Sequence, residues 1–409
     1  MKVLLSAYAC APGKGSEPEI GWRWMQQVSR SHDAWIITRA AKRAEVEAGL
    51  RREPAPRAHF VFVDVPRPLR FWKNWPFGIY LYYCVWQWLA YRTARRLNRE
   101  IGFDLAQHVT FGAYWLPTFM ALLGIPLVWG PVGGGETAPK SFRRAMRWRG
   151  RILEWMRDLS QAAAALHPLT RLTARRSFLA LATSQETADR LSALGCRNVR
   201  VISSIGITLD QLSDIVPAEH AWRDRLRIMS AGRLLHWKGF DLALRSVARL
   251  QADGVAVDYV IFGKGPERRP LEKLARRLGV VNSVTFHDPL PRAQLLRTMG
   301  EFDVLLHPSL HDSGAFVCVE AMMAGCPVAC LDLGGPALQV SDTSGIKVPA
   351  ISPEQAIREL AGALRELADP QLRNRFARAG RERARTHLLW DTKLDCLDDV
   401  YATRGEVHA

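Results

Sequence analysis

Residues 304–336 of the chain read VLLHPSLHDSGAFVCVEAMMAGCPVACLDLGGP. The apolar residues 304–306 predict a short buried strand, and the polar residues 307–314 predict a loop. Residues 316–324 then predict a helix, and the apolar run 328–331 predicts the next strand. This stretch is therefore one strand, loop, helix and strand unit of a parallel sheet. Ligands of such sheets bind at the carboxyl ends of strands, where the loop and the helix amino terminus present backbone N–H groups.

Two acidic residues lie between the two strands of this unit, Asp312 in the loop and Glu320 in the helix. An anionic ligand on the loop amides would have these carboxylates beside it, and carboxylates accept hydrogen bonds from hydroxyl groups. That combination suits a sugar attached to a diphosphate. The alternative is structural: aspartate is a favoured N-cap residue, so Asp312 would cap the helix and Glu320 would be an ordinary polar position. This stretch alone leaves both interpretations open.

The composition is that of a globular protein: 409 residues, 48% apolar and 23% charged, enough for two or more domains. Seven cysteines without paired spacing favour a reducing compartment and argue against a metal site. No uncharged apolar run reaches about 18 residues, so no segment is predicted to span a membrane. Residues 1–200 hold 30 Lys and Arg against 14 Asp and Glu, whereas residues 201–409 hold 26 of each. A basic first half and a neutral second half indicate domains with different partners.

Short apolar strands alternate with helices along most of the chain, which predicts parallel, doubly wound α/β sheets. The predicted strands are residues 2–8, 34–38, 59–65, 104–107, 127–129, 180–183, 199–202, 227–231, 257–262, 284–286, 304–306 and 328–331. Two loops after strands are rich in glycine, one around Gly13, Gly15 and Ser16 and the other at residues 130–136. Glycine lets the backbone approach a ligand closely, although the first loop is equally interpretable as a turn.

Two segments of the first half combine aromatic and basic side chains. Residues 66–99 hold ten Trp, Tyr and Phe and end in four arginines, and residues 140–176 hold ten basic residues with Trp148 and Trp155. Aromatic rings beside arginine are typical of a helix at an anionic membrane surface, and the second segment also suits a phosphorylated acceptor. The alternatives are a buried helix packed on the sheet for the first segment and a solvated helix face for the second.

Arg233 and Lys238 follow the predicted strand 227–231, beside a helix start where fixed cations can meet a diphosphate. With Asp312 and Glu320, they make the chain resemble the family 4 retaining glycosyltransferases of the GT-B fold, in which two doubly wound Rossmann-like domains face across a cleft. The resemblance covers most of the chain. It rests on GSEPEIGW at 15–22, GRLLHWKGF at 232–240, IFGKGPE at 261–267 and HDSGAFVCVEAMMAGCPV at 311–328.

The resemblance implies a role for each matching residue of the second half. Arg233 and Lys238 would bind the donor diphosphate and stabilise the charge that develops as it leaves. Glu320 would hold the ribose hydroxyls of the nucleotide. Asp312 would hold the donor sugar together with the backbone amides of the loop. These amides belong to Ser313, Gly314, Ala315 and Phe316.

Three residues of the first half match the family as well. Gly15 and Ser16 would face the diphosphate across the cleft. His108 resembles the histidine that touches the sugar near the reacting carbon, and its alternative is a buried core histidine. One position departs from the family, which usually has glutamate where this chain has Asp312. Aspartate is a methylene shorter, which bears on its reach to the sugar hydroxyls.

The resemblance also implies how the domains divide the work. Residues 1–205 would be the acceptor-binding domain, and residues 206–385 the nucleotide-sugar-binding domain. Residues 386–409 would be a C-terminal helix that packs back on the first domain. No cofactor is expected, because the sugar arrives on a nucleoside diphosphate, for which UDP or GDP is the leading expectation. The sequence has no Asp-x-Asp pair, which predicts a metal-independent reaction.

The function implied is the transfer of a sugar to a lipid-linked or phosphorylated acceptor in bacterial surface polysaccharide synthesis. Such an enzyme is expected in the cytoplasm, peripheral on the inner face of the cytoplasmic membrane. Nucleic acid is not an expected partner, because the basic segments contain no recognised nucleic-acid reading module. The alternatives are a nucleotide-sugar epimerase, a transferase with a soluble acceptor, and a non-catalytic binding protein of the same fold.

Overall fold

The structure, a computed structural model, describes residues 1–13, 16–66, 78–213, 215, 221–393 and 401. Within these residues the fold is α/β, with two sheets in which the paired strands all run parallel. Helices connect the strands, as parallel pairing requires. The predicted fold class of two doubly wound, Rossmann-like α/β domains is therefore confirmed.

The chain forms two compact units. The first contains Met1–Gly135 and Leu159–Ser204, and the second contains Glu136–Asp158 and Ile205–Ala409. The division after Ser204 lies beside the expected boundary at residue 205. Glu136–Asp158 groups with the second unit, although its place in the sequence lies within the expected first domain. Residues 394–400 and 402–409 of the expected C-terminal helix lie outside the described residues.

The first unit has a sheet of seven strands within the described residues, in the order β3-β2-β1-β4-β5-β6-β7. In chain order to residue 204, the elements are β1 (Lys2–Ser6), α1 (Ser16–Ser31), β2 (Asp33–Arg39), α2 (Arg43–Arg52), β3 (Ala58–Val63), α3 (Gly78–Ile101), β4 (Leu105–His108), β5 (Leu127–Val132), α4 (Lys140–Arg143), α5 (Trp148–Leu166), α6 (Pro168–Arg176), β6 (Ser177–Ala182), α7 (Gln185–Ala193) and β7 (Val199–Val201). Helix α4 and the first part of α5 belong to the second unit.

The second unit has a sheet of six strands within the described residues, in the order β10-β9-β8-β11-β12-β13. Its elements after residue 204 are α8 (Leu209–Ser213), β8 (Leu226–Ala231), α9 (Phe240–Ala252), β9 (Val257–Phe262), α10 (Arg268–Arg277), β10 (Val284–His287), α11 (Arg292–Met299), β11 (Val304–His307), α12 (Phe316–Met323), β12 (Val328–Leu331), α13 (Gly334–Gln339), β13 (Gly345–Val348), α14 (Pro353–Glu366) and α15 (Pro370–His387).

Burial explains why the central strands show as apolar runs in the sequence. Every residue of β11 and of β12 is buried, because helices cover both faces of a parallel sheet. Strand order reverses between β8 and β11, which pair directly with Val304 opposite Ile228. A reversal of this kind leaves a crevice at the carboxyl ends of the two strands, where α/β proteins bind ligands. The loops after β8 and β11 carry Lys238 and Asp312 to this edge.

The structure adds two features that the sequence does not predict. Strand β13 (Gly345–Val348) pairs with β12 at the sheet edge, and its Lys347 forms an ion pair with Asp342 at 3.2 Å. The residues after Ser352 form two separate helices, α14 and α15. Asp369 caps the second of these helices by accepting from the Gln371 amide at 2.9 Å, just before Pro370.

Helix α3 contains most of the described part of the first aromatic segment, and residues 67–77 of that segment lie outside the described residues. Tyr83 and Trp86 are buried in the core of the first unit, so one face of α3 fits the buried-helix alternative. The other face exposes Tyr80 and Trp88. Among the described helices, none combines the length and the apolar character needed to cross a membrane.

Candidate active site

The loop between β11 and α12 is organised by Asp312. Its Oδ1 accepts hydrogen bonds from the backbone amides of Gly314 at 3.3 Å and Ala315 at 3.1 Å. Ala315 itself has a left-handed backbone, with φ of +54°, which a non-glycine residue adopts only when its surroundings impose it. Asp312 therefore does cap the start of α12, as the structural interpretation expects. Two of the amides expected to hold the donor sugar are engaged by this carboxylate.

The other oxygen of Asp312 faces a lysine and a histidine. The Nζ of Lys238 contacts Oδ2, and the Nε2 of His307 lies 3.4 Å from the same atom. Burial alone would raise the pKa of Asp312, but His307 and Lys238 hold that pKa well below its usual range. The carboxylate is thus ionised and paired. The Oδ1 atom of Asp312 caps the helix, and its Oδ2 atom contacts Lys238. The capping interpretation and the donor-site interpretation of Asp312 therefore concern different oxygens of one side chain.

A glycine allows the Lys238 and Asp312 loops to meet. Gly239 has φ of +67°, and a Cβ at this position would lie 1.9 Å from the carbonyl oxygen of Pro308. No side chain fits there, so the turn after β8 needs glycine. The backbone amide of Leu310 also donates to the carbonyl of Trp237 at 2.8 Å. Backbone contact therefore fixes the two loops against each other, with the Lys238–Asp312 pair between them.

Arg233 lies in the same turn region but in a different environment. Its side chain is exposed and forms no hydrogen bond or ion pair with the residues that the structure describes. The exposed guanidinium leaves one cation of this turn available to a planar anionic group such as a phosphate. The two expected diphosphate ligands thus lie in one short segment. The Lys238 side chain is held by Asp312, and the Arg233 side chain is exposed.

Glu320 lies on α12 and is buried, with an ion pair to Arg292 of α11. The Nε of Arg292 donates to its Oε1 at 2.7 Å. Burial raises the pKa of Glu320, and Arg292 opposes that shift. The side chain of Arg292 is itself partly exposed and lies over the ring of Phe316, 5.7 Å from its centroid. A ligand that binds Glu320 through hydroxyl groups would meet Arg292 at the same place.

In the first unit, His108 ends β4 at the carboxyl edge of the sheet. It is buried, and its Nε2 lies 3.1 Å from the hydroxyl of Tyr83. Burial lowers the pKa of His108 to about 4, so the imidazole is neutral at physiological pH. Its Nδ1 has no hydrogen-bond partner among the described residues. A buried ring with one nitrogen unpaired differs from the satisfied core histidine of the alternative interpretation.

The glycine-rich loop of the first unit is described only in part. Gly15 and the side chain of Ser16 lie outside the described residues. The flanking residues are fixed, because the Gly13 amide donates to Oε2 of Glu19 at 2.6 Å. Their expected contact with the diphosphate stays a prediction.

Comparison with known proteins identifies the family. Residues 214–383 match the family model described as glycosyl transferases group 1. A 2-deoxystreptamine glucosyltransferase of Streptomyces kanamyceticus is 31% identical over 318 residues, which cover 72% of this chain and 76% of that protein. The chain belongs to the group 1 glycosyltransferase family. It is an enzyme of the glycosyltransferase class, which confirms the family resemblance seen in its motifs.

Solved structures show the same fold for this group 1 glycosyltransferase. The lipopolysaccharide outer core galactosyltransferase WaaB superposes with a TM-score of 0.66 at 12% identity, covering 99% of this chain and 100% of that one. The Anabaena protein HepE, solved in complex with UDP, gives a TM-score of 0.61 at 17% identity, covering 98% and 100%. At these identities the likeness shows the fold alone, and that fold is GT-B.

Three residues of this glycosyltransferase make contacts that sequence reasoning did not assign. They are Arg292 on Glu320, His307 on Asp312, and Glu17, whose Oε2 accepts from the Phe111 amide at 3.1 Å in the first unit. Glu17 and His307 could have been noticed from the local sequence. Glu17 belongs to the quoted motif GSEPEIGW, and His307 ends the strand before Asp312. Arg292 had none, because nothing in the sequence around it shows that α11 packs on α12.

Proposed function

We propose that this glycosyltransferase transfers a sugar from a nucleoside-diphosphate sugar, with UDP or GDP as the nucleotide, and with retention of anomeric configuration. The observation that carries the proposal is the meeting of Lys238 and Asp312 at the carboxyl ends of two neighbouring strands, with the exposed Arg233 in the same turn. This edge is where α/β folds bind ligands, and it offers the charge that a diphosphate needs. HepE, which shares the fold, binds UDP in its solved complex.

The proposed chemistry needs no residue beyond those of the site. Breaking the bond between sugar and diphosphate produces an oxocarbenium-like sugar and an anionic leaving group. Cations at that leaving group lower the barrier electrostatically, so Lys238, held by Asp312, and the exposed Arg233 would supply the positive charge that a metal supplies elsewhere. Glu320 would turn from Arg292 to the ribose hydroxyls. Asp312 would hold the donor sugar near the start of α12.

Three residues of the first unit would have the roles that the family resemblance implies. His108 is neutral, so it would offer a hydrogen bond to the sugar without adding charge. Gly15 and Ser16 would contact the diphosphate through the backbone. The leaving phosphate itself would take the proton of the acceptor hydroxyl on the same face, which accounts for retention without a protein nucleophile.

The proposal predicts donor turnover without a metal. Purified protein, an acceptor-containing membrane extract and a panel of UDP and GDP sugars are incubated with a chelator, and release of the nucleoside diphosphate is measured. We expect one donor to be consumed at the same rate with and without chelator, because Arg233 and Lys238 supply the positive charge. Loss of activity in chelator and its return with magnesium or manganese would contradict the metal-free mechanism.

Helix α5 supports the further proposal of a lipid-linked acceptor at an anionic membrane surface. The helix buries Gly150, Glu154 and Gln161 and exposes an apolar stripe. The stripe consists of Trp148, Ile152, Trp155, Met156 and Leu159. A surface helix normally buries its apolar face, and α5 does the reverse.

Basic side chains surround the start of this stripe. Arg147, Arg149 and Arg151 are exposed, and the Arg149 guanidinium lies 5.2 Å from the Trp148 ring centroid. Apolar rings beside cations suit the headgroup level of an anionic membrane. The protein would therefore act in the cytoplasm, peripheral on the inner face of the membrane, on an acceptor of surface polysaccharide synthesis. WaaB, of the same fold, is a lipopolysaccharide galactosyltransferase.

The membrane proposal predicts which tryptophans matter. Replacing Trp148 and Trp155 together by alanine should lower partitioning onto vesicles of anionic lipid on the order of tenfold or more, because both rings lose apolar area buried in the interface. Co-sedimentation at low and moderate salt measures this. Trp222→Ala is the matched control, because Trp222 is even more exposed, at 73% against 62% and 64% for the other two, and lies outside α5. Failure of the wild-type protein to bind such vesicles at both salt levels would contradict the proposal.

A further inference from the structure

Glu154 lies on the buried side of α5, opposite the apolar stripe, and is only 2% exposed. Its Oε1 accepts hydrogen bonds from the Nε2 of His236 at 3.0 Å and from the Nε2 of His311 at 3.1 Å. Burial alone would raise the pKa of Glu154, but these hydrogen bonds hold the pKa well below its ordinary value. The carboxylate is therefore ionised and only accepts, so both imidazoles carry a proton on Nε2.

The two histidines belong to the loops of the donor site. His236 comes two residues before Lys238 in the turn after β8, and His311 directly precedes Asp312. The indole of Trp237 stacks on the imidazole of His311, with centroids 5.0 Å apart and planes at 17°. A single carboxylate thus ties both loops within two residues of the cation and the acid that the donor would meet.

The segment that carries Glu154 fits closely onto these loops. Gly150 lies one helical turn before Glu154. A Cβ at this position would lie 3.1 Å from ring atoms of His236, which is tighter than an ordinary contact, so glycine lets the helix lie close to the turn after β8. Arg157, one turn after Glu154, donates to the carbonyl of Glu136 at 2.8 Å. The contacts of Gly150 and Glu154 with the loops tie Glu136–Asp158 to the second unit, and the Arg157 bond closes the segment on itself. They also place a polar helix face on the donor loops.

We propose that Glu154 is a positioning residue of the donor site, an inference that rests on the proposed function. Its carboxylate fixes His236 and His311 and so holds Lys238 and Asp312 in the arrangement that receives the sugar diphosphate. Glu154 touches no substrate in this scheme. Without the Glu154 carboxylate the two loops would be less ordered in the free protein. The ligand would then have to order them on binding, and the free energy that this costs would weaken the affinity.

The test is calorimetric titration of UDP and GDP into the full-length protein. Glu154→Ala should raise the Kd of the nucleotide that the wild type binds by about tenfold or more. Glu154→Gln should bind within about threefold of the wild type, because its amide oxygen still accepts from both imidazoles. Glu154→Asp should resemble the alanine variant, because a carboxylate one methylene shorter reaches only one of the two rings.

The matched control is Asp303→Ala. Asp303 is an equally buried carboxylate of the same sheet, 3.4 Å from the Arg373 Nε, but it precedes β11 at the edge opposite the donor loops. Its loss should lower the melting temperature and leave the Kd unchanged. If Glu154→Ala does not fold, the comparison of the glutamine and aspartate variants decides the question.

The outcomes separate this inference from the proposed function. Wild-type affinity in both Glu154→Ala and Glu154→Asp would overturn the inference alone. An equal rise in Kd for Asp303→Ala would do the same, because instability would then explain the loss of affinity. A wild-type protein that binds no nucleoside diphosphate would overturn the proposed function and this inference with it. Vesicle binding should be the same in all four variants, because the apolar stripe of α5 is intact.

Discussion

Replacing Lys238 by alanine is expected to lower kcat by about 10²- to 10³-fold. Its ammonium is held against Asp312, so the positive charge is in place before the donor arrives. A preorganised charge needs no reorganisation as the leaving diphosphate becomes more negative, and such groups supply the largest part of many enzymes' catalysis. The measurement is the rate of nucleoside-diphosphate release at saturating donor.

The fold should survive this substitution. Asp312 keeps the Ala315 amide and the nearby His307, so it retains partners for its buried charge. Lys273→Ala, an exposed lysine on α10, is the matched control and should turn over donor at the wild-type rate. A Lys238→Ala protein whose kcat lies within about threefold of the wild type would contradict the proposed role, because loss of a preorganised charge should lower kcat far more than this.

Replacing Arg233 by alanine is expected to weaken nucleotide binding by about 10- to 100-fold. A hydrogen bond to a charged group contributes about 1.5–3 kcal/mol, and the planar guanidinium can make two to one phosphate. Because the Arg233 side chain is exposed, its loss should leave the melting temperature of the free protein almost unchanged. Ligand at about 100 times the wild-type Kd stabilises the fold by about 2.7 kcal/mol, and a Kd raised about 30-fold cuts this to about one third.

The control for Arg233 is an arginine of the same unit at a different place. Arg276 is exposed near the end of α10, so Arg276→Ala has the same change in net charge. It should show the full ligand-induced rise in melting temperature. Equally reduced rises in Arg233→Ala and Arg276→Ala would mean that net charge, and not the position of Arg233, governs nucleotide binding, and a full rise in both would contradict any role for Arg233.

The fold could be predicted well where burial controls the sequence. Buried parallel strands are near-continuous apolar runs, so the expected strand 328–331 coincides with β12 and the expected strand 304–306 matches all of β11 except His307. Edge strand β13 escaped prediction, since four residues that include Lys347 show neither an apolar run nor alternation. Short edge strands need little apolar surface and leave little trace in the sequence.

The residues of the site could be predicted only where they lie in short sequence motifs, such as those that follow β8 and β11. The family resemblance assigned Lys238 and Asp312 to one donor site, and the structure shows that they meet because β8 and β11 end at the same edge of the sheet. Arg292 lies 28 residues from Glu320, and Glu154 lies 157 residues from His311. Pairings of that kind depend on which helix packs on which loop, and hydrophobic periodicity reports only that a helix has a buried side.

Helix α5 also shows what hydrophobic periodicity cannot predict, which is the side of a helix that faces the core. Its sequence suggested either a membrane-facing helix or a solvated one, because Trp148 and Trp155 stand among arginines. The structure shows that the buried positions, Glu154 among them, are the polar ones. A periodic pattern assigns the apolar side of a helix to the core by default. Only the observed exposure reveals that this helix is turned the other way.

The central claim is that the second unit binds a nucleoside diphosphate through Arg233 and Lys238. The most direct measurement is the melting temperature of the wild-type protein in the presence of UDP, GDP, ADP and TDP, each without metal. We expect a selective rise with UDP or GDP that shrinks sharply in Arg233→Ala. No rise with any of the four nucleotides at millimolar concentration would contradict the claim, because a ligand that binds only the folded state must stabilise it.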